Sequence, residues 1–157
     1  MKATSLLKKQ HQEVKGLFRK IDKTEDPSGR QDLMTQIIEN LTVHSTIEEE
    51  IFYPAVRGLG SQKAEDIILE ALEEHHVVKL VLEELPTMDP EDEHFSAKMT
   101  VLSELVEHHA EEEEDEMFVL ATKLGDAELE SLGAQLAARA KELTHEEVAG
   151  GSKAGRR

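Results

Sequence analysis

Apolar residues recur along this chain at steps of three and four, the interval that lines up side chains on one face of a helix. Leu7, Val14, Phe18 and Ile21 predict a first helix over about residues 3–21, with His11 filling the gap in the same register. A second helix, about 27–56, has the face Ile37, Leu41, His44, Glu48, Ile51 and Ala55. A third, about 61–85, shows Ala64, Ile68, Ala71, His75, Val78, Leu82 and Leu85. The fourth, about 90–124, carries Phe95, Met99, Leu102, Val106, His109, Glu113, Met117 and Leu120. A weaker pattern over about 126–147, with Leu129, Leu132, Leu136 and Leu143, predicts a short fifth helix packed on the outside.

The breaks between these faces are chemically marked. Asp26-Pro27 and Ser28 offer an N-cap and first-turn residue for helix two, Ser61 caps helix three after Gly58 and Gly60, and Asp89-Pro90 should open helix four. Pro54 falls inside helix two, where its missing N–H predicts a kink or a loosened turn. Four helices joined by short connections are naturally antiparallel neighbours. The expectation is an all-α, up-down-up-down antiparallel four-helix bundle over 1–124, a C-terminal helical extension over 125–148, and a tail over 149–157 with nothing to bury and no fixed structure.

Each of the four apolar stripes is interrupted at a seam position by a polar residue: His11, His44 with Glu48, His75, and His109 with Glu113. The interruptions repeat. His44, Glu48 and Tyr53 recur 65 positions on as His109, Glu113 and Phe118, while His11 and Lys15 recur 64 positions on as His75 and Lys79. Residues four apart on a helix share a face, so each Glu stands one turn beyond its His. A bundle with four imidazoles and two carboxylates in its core is costly to form unless something links them. Two metal ions would do so, with the glutamates balancing charge and bridging, and two histidines on each ion. The candidate ligands are therefore His11, His44, Glu48, His75, His109 and Glu113. The doublets His75-His76 and His108-His109 leave a second register open, and His108 with Glu112 is itself a valid pair. The repeat selects His75 and His109, leaving His76, His94, His108 and His145 as surface residues. Glu73 with His76 and Glu142 with His145 have Glu-x-x-His spacing but miss the seams.

Composition narrows the chemistry. The chain has 157 residues, enough for one domain, with no cysteine, so any metal must be held by imidazole and carboxylate. A formal net charge of −16 repels nucleic-acid backbones and anionic membrane surfaces. No segment reads as a signal peptide or a membrane span, so a cytoplasmic protein is expected, as a monomer or weak homodimer.

Taken together, His11, His44 with Glu48, His75, and His109 with Glu113, followed by Glu49-Glu50-Ile51-Phe52-Tyr53-Pro54 and by Glu116-Met117-Phe118, resemble the hemerythrin-like, or HHE cation-binding, family over about residues 1–124. The resemblance implies two iron ions in an oxo- or hydroxo-bridged di-iron centre, with room for dioxygen or a related small ligand such as nitric oxide or peroxide, for sensing, storage or protection. Two departures set the chain apart from the oxygen carriers of that family. Lys79 stands where they place a further histidine in helix three, and His109 with Glu113 replaces a longer His-to-Asp spacing. A di-iron enzyme that decomposes peroxide or oxidises iron is the alternative, and an iron-dependent regulatory module is a third. Zinc and manganese also accept these donors. No catalytic residue is assigned, although Tyr53, Lys15 and Lys79 lie close enough in sequence to tune such a centre.

Overall fold

The computed structural model describes the backbone of residues 1–155 and side chains through residue 145. Its elements are α1 (Ala3–Lys23), α2 (Pro27–Ile47), α3 (Tyr53–Arg57), α4 (Gln62–Glu84), α5 (Glu93–Glu112), α6 (Phe118–Ala121) and α7 (Asp126–Gly155). Two π-helical turns, Glu48–Phe52 and Glu113–Met117, join α2 to α3 and α5 to α6 into long bent rods. The four arms α1, α2–α3, α4 and α5–α6 form the expected four-helix bundle, and α7 packs across α1 and α2. Among the described residues no helix is long and apolar enough to cross a membrane. The tail expected to lack fixed structure over 149–157 has a helical backbone as far as Gly155, where α7 ends, and 156–157 lie outside the described residues.

Local chemistry sets most boundaries. Asp26 caps α2 by accepting from the Gly29 N–H at 3.0 Å, and Ser61 caps α4 through the Ala64 N–H at 3.1 Å. The start of helix four differs from the expectation. Asp89 accepts from the Glu91 N–H at 2.9 Å and so closes a turn, and Asp92 becomes the cap by accepting from the His94 N–H at 2.8 Å. An aspartate bonding two residues ahead favours a turn over a helix start, which moves the first helical residue to Glu93. Gly125 at φ 89° makes the turn into α7. Gly133 lets α7 settle against the N-terminus, since a Cβ there would meet the Met1 carbonyl oxygen at 2.0 Å.

The π turns change which residues face inward. A straight α-helix would bury Ile51 and Ala55 after Glu48, but the wider turn shifts the register and buries Phe52, Tyr53 and Val56 instead. The Tyr53 N–H bonds to the Glu48 carbonyl and the Phe118 N–H to the Glu113 carbonyl, five residues apart in both arms. Pro54 sits just past the first π turn and accounts for a loosened ladder there, but the second π turn has no proline. What both share is a buried glutamate at the first position.

The apolar core divides in two. One cluster joins Leu7, Phe52, Ile68 and Met117 to Leu132 and Leu136 of α7, and the other holds Phe18, Ile37, Leu82, Phe95 and Leu102. Each such side chain contributes about 1.5–3 kcal/mol when fully buried. Between the clusters the four arms present polar residues, and these define a single layer.

Candidate metal centre

All six expected ligands meet in that layer. His11, His44, His75, His109, Glu48 and Glu113 are the buried polar residues of the described chain, with Glu48 at 0% and Glu113 at 2% exposure. His11 Nε2 lies 3.1 Å from Glu113 Oε1, and His44 Nε2 lies 3.2 Å from Glu48 Oε1. His75 Nε2 is 3.1 Å from Glu48 Oε1 and 3.1 Å from His109 Nε2, which is itself 3.5 Å from Glu113 Oε1. The ligand atoms form two groups, His11, His44, Glu48 and Glu113 on one side and Glu48, His75 and His109 on the other, with atoms in each within 4.8 Å of one another.

The donors fit a metal on two grounds. First, His44 Nε2 and Glu48 Oε2 are buried without a hydrogen-bond partner. His44 Nε2 approaches Glu48 Oε1, but the geometry is not that of a hydrogen bond. Orphaned buried polar atoms are rare in proteins, and an ion between them removes the cost. Second, every imidazole turns Nε2 inward and holds Nδ1 on an outer acceptor. His11 Nδ1 is 3.0 Å from Glu114, His44 Nδ1 is 2.6 Å from the Gln10 side-chain oxygen, His75 Nδ1 is 3.0 Å from Glu49, and His109 Nδ1 is 2.8 Å from Glu74. An acceptor on one ring nitrogen fixes the tautomer that leaves the other free for a metal.

Tyr53 joins the layer as a seventh donor. Its hydroxyl donates to Glu113 Oε2 at 2.7 Å and lies 3.3 Å from Glu48 Oε1, 3.1 Å from His75 Nε2 and 3.3 Å from His109 Nε2. The π turn makes this possible by bringing residue 53 to the same side as Glu48. Phe118, its counterpart in the repeat, stacks on His11 with ring centroids 6.0 Å apart. Lys15 and Lys79 do not reach the layer: Lys79 is exposed and Lys15 is half-buried at an outer groove. His76, His94, His108 and His145 are exposed, as expected.

Electrostatics reflect the crowding of opposite charges. Burial alone would lower the imidazole pKa values, but Glu48 and Glu49 push His75 up to about 9, and Glu113 with Glu48 and Glu74 holds His109 well above its usual value. His11 is raised in the same way, chiefly by Glu113. Burial works to raise Glu48, yet His44, with Glu113 and His109 bonded nearby, holds it well below the usual carboxylate range. Burial, then the two carboxylates, push the Tyr53 phenol well above its ordinary value, so it keeps its proton. Without metal, then, protons occupy the positive role in this layer.

A cavity of about 290 Å³ opens onto the layer, lined by all four histidines and by Val14, Val78, Val106 and Ala110, with Ala140 and Thr144 of α7 on its wall. Glu48, Glu113 and Tyr53 do not line it, while Gln10, Glu13, Glu39 and Asn40 add a polar edge. A partly apolar space against four imidazoles has the size for a small ligand.

The outer partners Gln10, Glu49, Glu74 and Glu114 did not stand out as apolar-face interruptions, because they flank the faces. The repeat carries the missing signal: Gln10 and Glu74 are 64 positions apart, Glu49 and Glu114 are 65 apart, and each equivalent pair serves equivalent histidines.

Known proteins share the sequence family and the fold. The family model for the hemerythrin HHE cation binding domain matches residues 2–121. An uncharacterized protein of Mycobacterium tuberculosis is 31% identical over 146 residues, covering 91% of this chain and 88% of that one. The crystal structure of a hemerythrin HHE cation binding domain-containing protein from Mycobacterium kansasii superposes with a TM-score of 0.82 at 29% identity, over 95% of this chain and 91% of that one. A DNA nickase of Nostoc is 29% identical over 118 residues, and the matched stretch is 33% of that longer protein. With a buried His and Glu layer built for a cation and a family match over most of its length, the chain belongs to the hemerythrin HHE cation-binding domain family.

Proposed function

We propose that the chain holds two iron ions through His11, His44, Glu48, His75, His109 and Glu113, and that the adjoining cavity admits dioxygen, nitric oxide or peroxide for sensing, storage or protection. The observation that carries this reading is the buried layer itself, where four inward Nε2 atoms meet two carboxylates beside a partly apolar cavity. Bound there, the metals supply redox change and coordination positions for a small ligand. Glu48 Oε1 lies within 4.0 Å of the Nε2 atoms of His44, His75 and His109, so this carboxylate spans both sides. Glu113 does the same between His11 and His109. Val14, Val78 and Val106 give the cavity an apolar wall, and Tyr53 holds a proton against Glu113 Oε2.

That proton favours a second reading, a peroxide-decomposing or iron-oxidising enzyme, since Tyr53 would hold an acidic proton within 3.3 Å of the His75 and His109 Nε2 atoms that would bind a metal. The nickase activity belongs to the Nostoc protein. A net charge of −16 opposes contact between this chain and a DNA backbone. The deciding test is to add dioxygen, nitric oxide and peroxide to the reduced, iron-loaded protein and follow absorbance. Stoichiometric spectral change supports binding, repeated turnover lost in His109→Ala supports the enzyme, and no change with any ligand overturns both.

A further inference from the structure

The cavity over the metal layer has one wall that does not belong to the four-helix bundle. Its mouth lies between α1 and α2, edged by Gln10 and Glu13 of the first and by Glu39 and Asn40 of the second, all half-buried or exposed. Beside that mouth runs α7, which contributes Ala140 and Thr144 to the lining. Deeper in stands His44, 8% exposed, whose Nε2 has no hydrogen-bond partner.

Helical period explains what α7 places there. Its inward stripe begins with Leu129, Leu132 and Leu136, all buried, and the same register continues to Ala140 and Leu143, half-buried, and to Thr144. Where the stripe passes the cavity it falls from leucine to alanine and threonine, and so leaves space that a larger side chain would fill. The helix is also held in place. Arg139 Nε and Nη2 lie 2.8 Å and 3.3 Å from the two carboxylate oxygens of Glu50. Glu50 belongs to the π turn that begins at Glu48, so α7 and one ligand of the layer are anchored to the same segment.

Two other openings are poorer routes. The α4–α5 seam is the counterpart, in the repeat, of the α1–α2 seam, and the crevice there has about 10 Å³, room for about one water, against about 290 Å³ here. A groove between α2 and α4 is larger, at about 410 Å³, but it meets His75 alone of the four histidines, and Glu49, which holds that ring's Nδ1, lines it too.

We infer that α7 is part of the functional site: small molecules reach the metal layer between α1 and α2, past Ala140 and Thr144, whose short side chains keep the way open. This rests on the reading of a ligand-binding iron centre above. A side chain at an entrance changes the barrier to passage in both directions and leaves the bound state untouched, so entry and exit rates move together.

The test follows nitric oxide binding to the reduced, iron-loaded full chain by stopped-flow absorbance in Ala140→Phe, with Thr144→Phe, one turn on, as a second variant. Association and dissociation rates should both fall several-fold, with affinity and iron content as in wild type. Thr42→Phe, which crowds the α2–α4 groove instead, should leave both rates unchanged. Unchanged rates in both α7 variants, or slowing confined to Thr42→Phe, overturns the proposal. A metal-free arm separates it from the function reading. The chain has one tyrosine and no tryptophan, so its emission comes from Tyr53, whose hydroxyl lies 3.1 Å from His75 Nε2 in the layer. Quenching of that emission by dissolved dioxygen should weaken in Ala140→Phe, and equal quenching in wild type and variant overturns the route whether or not iron binds. If loaded wild type binds no nitric oxide while quenching still weakens in the variant, the function reading fails and the route stands.

Discussion

Tyr53→Phe removes one atom from the middle of the ligand layer and tests how that layer is held. The hydroxyl is buried, donates its one proton to Glu113 at 2.7 Å and lies 3.3 Å from Glu48, so in the metal-free protein it satisfies a buried carboxylate. A hydrogen bond to a charged group contributes about 1.5–3 kcal/mol, and phenylalanine fills the same ring space, so no new cavity compounds the loss. Metal-free Tyr53→Phe should therefore be about 1.5–3 kcal/mol less stable than wild type in urea unfolding. For a domain of this size that corresponds to a fall in Tm of roughly 3–12 °C. A loss below about 0.5 kcal/mol, the range of an ordinary surface change, would refute the placement of the hydroxyl among the carboxylates. In the iron-loaded protein the same variant should shift the visible spectrum, because the hydroxyl lies within 3.3 Å of two ligand imidazoles.

Three further outcomes follow from the same geometry. The His75 pKa is raised from 6.5 to about 9, so its contribution is fully present below pH 6.5 and lost as pH rises through 9; metal-free protein should lose on the order of 3 kcal/mol between those limits by urea unfolding, and a flat profile would contradict the pairing with Glu48 and Glu49. Gln10→Ala removes the acceptor that orients His44 and should weaken metal affinity about 10–100-fold in chelator competition, whereas unchanged affinity would show that His44 is held by packing alone. His109→Ala should lower bound metal per chain while His108→Ala leaves the buried stoichiometry intact, which direct metal analysis reads.

Much of this was legible in the sequence because burial and helical period are tied together. His11, His44, Glu48, His75, His109 and Glu113 were visible as polar residues at positions where the period demanded apolar ones, and the structure buries each of them. The repeat resolved the doublets, since only His75 and His109 keep the offsets, and His76 and His108 are exposed. What the period could not show is where it fails. After Glu48 the π turn adds a residue, so Ile51 and Ala55 give up their inward places to Phe52, Tyr53 and Val56. Nothing in local propensity announces that turn in the second arm, where no proline follows. Tyr53 was noticed for its nearness in sequence, but its reach to both carboxylates depends on that turn. The start of α5 was misplaced because an aspartate before proline can open a helix or close a turn, and Asp89 does the latter.

The approximate twofold character of the layer also has two exceptions with chemical meaning. Gln10 stands where the repeat has Glu74, and Phe118 stands where it has Tyr53. The His75–His109 side thus has a carboxylate acceptor on both Nδ1 atoms and a phenol beside both Nε2 atoms, while the His11–His44 side has one carboxylate, one amide and a stacked Phe118 ring. Stronger outer acceptors raise imidazole basicity, so two metals held there would be inequivalent in the electron donation they receive.

The central claim is that the buried layer is a two-metal site, and it is tested most directly by metal analysis of protein purified without added metal, read beside its visible spectrum. The account predicts two irons per chain and a charge-transfer band that disappears in Glu48→Gln. A single zinc per chain, or iron retained undiminished in Glu48→Gln, would contradict it.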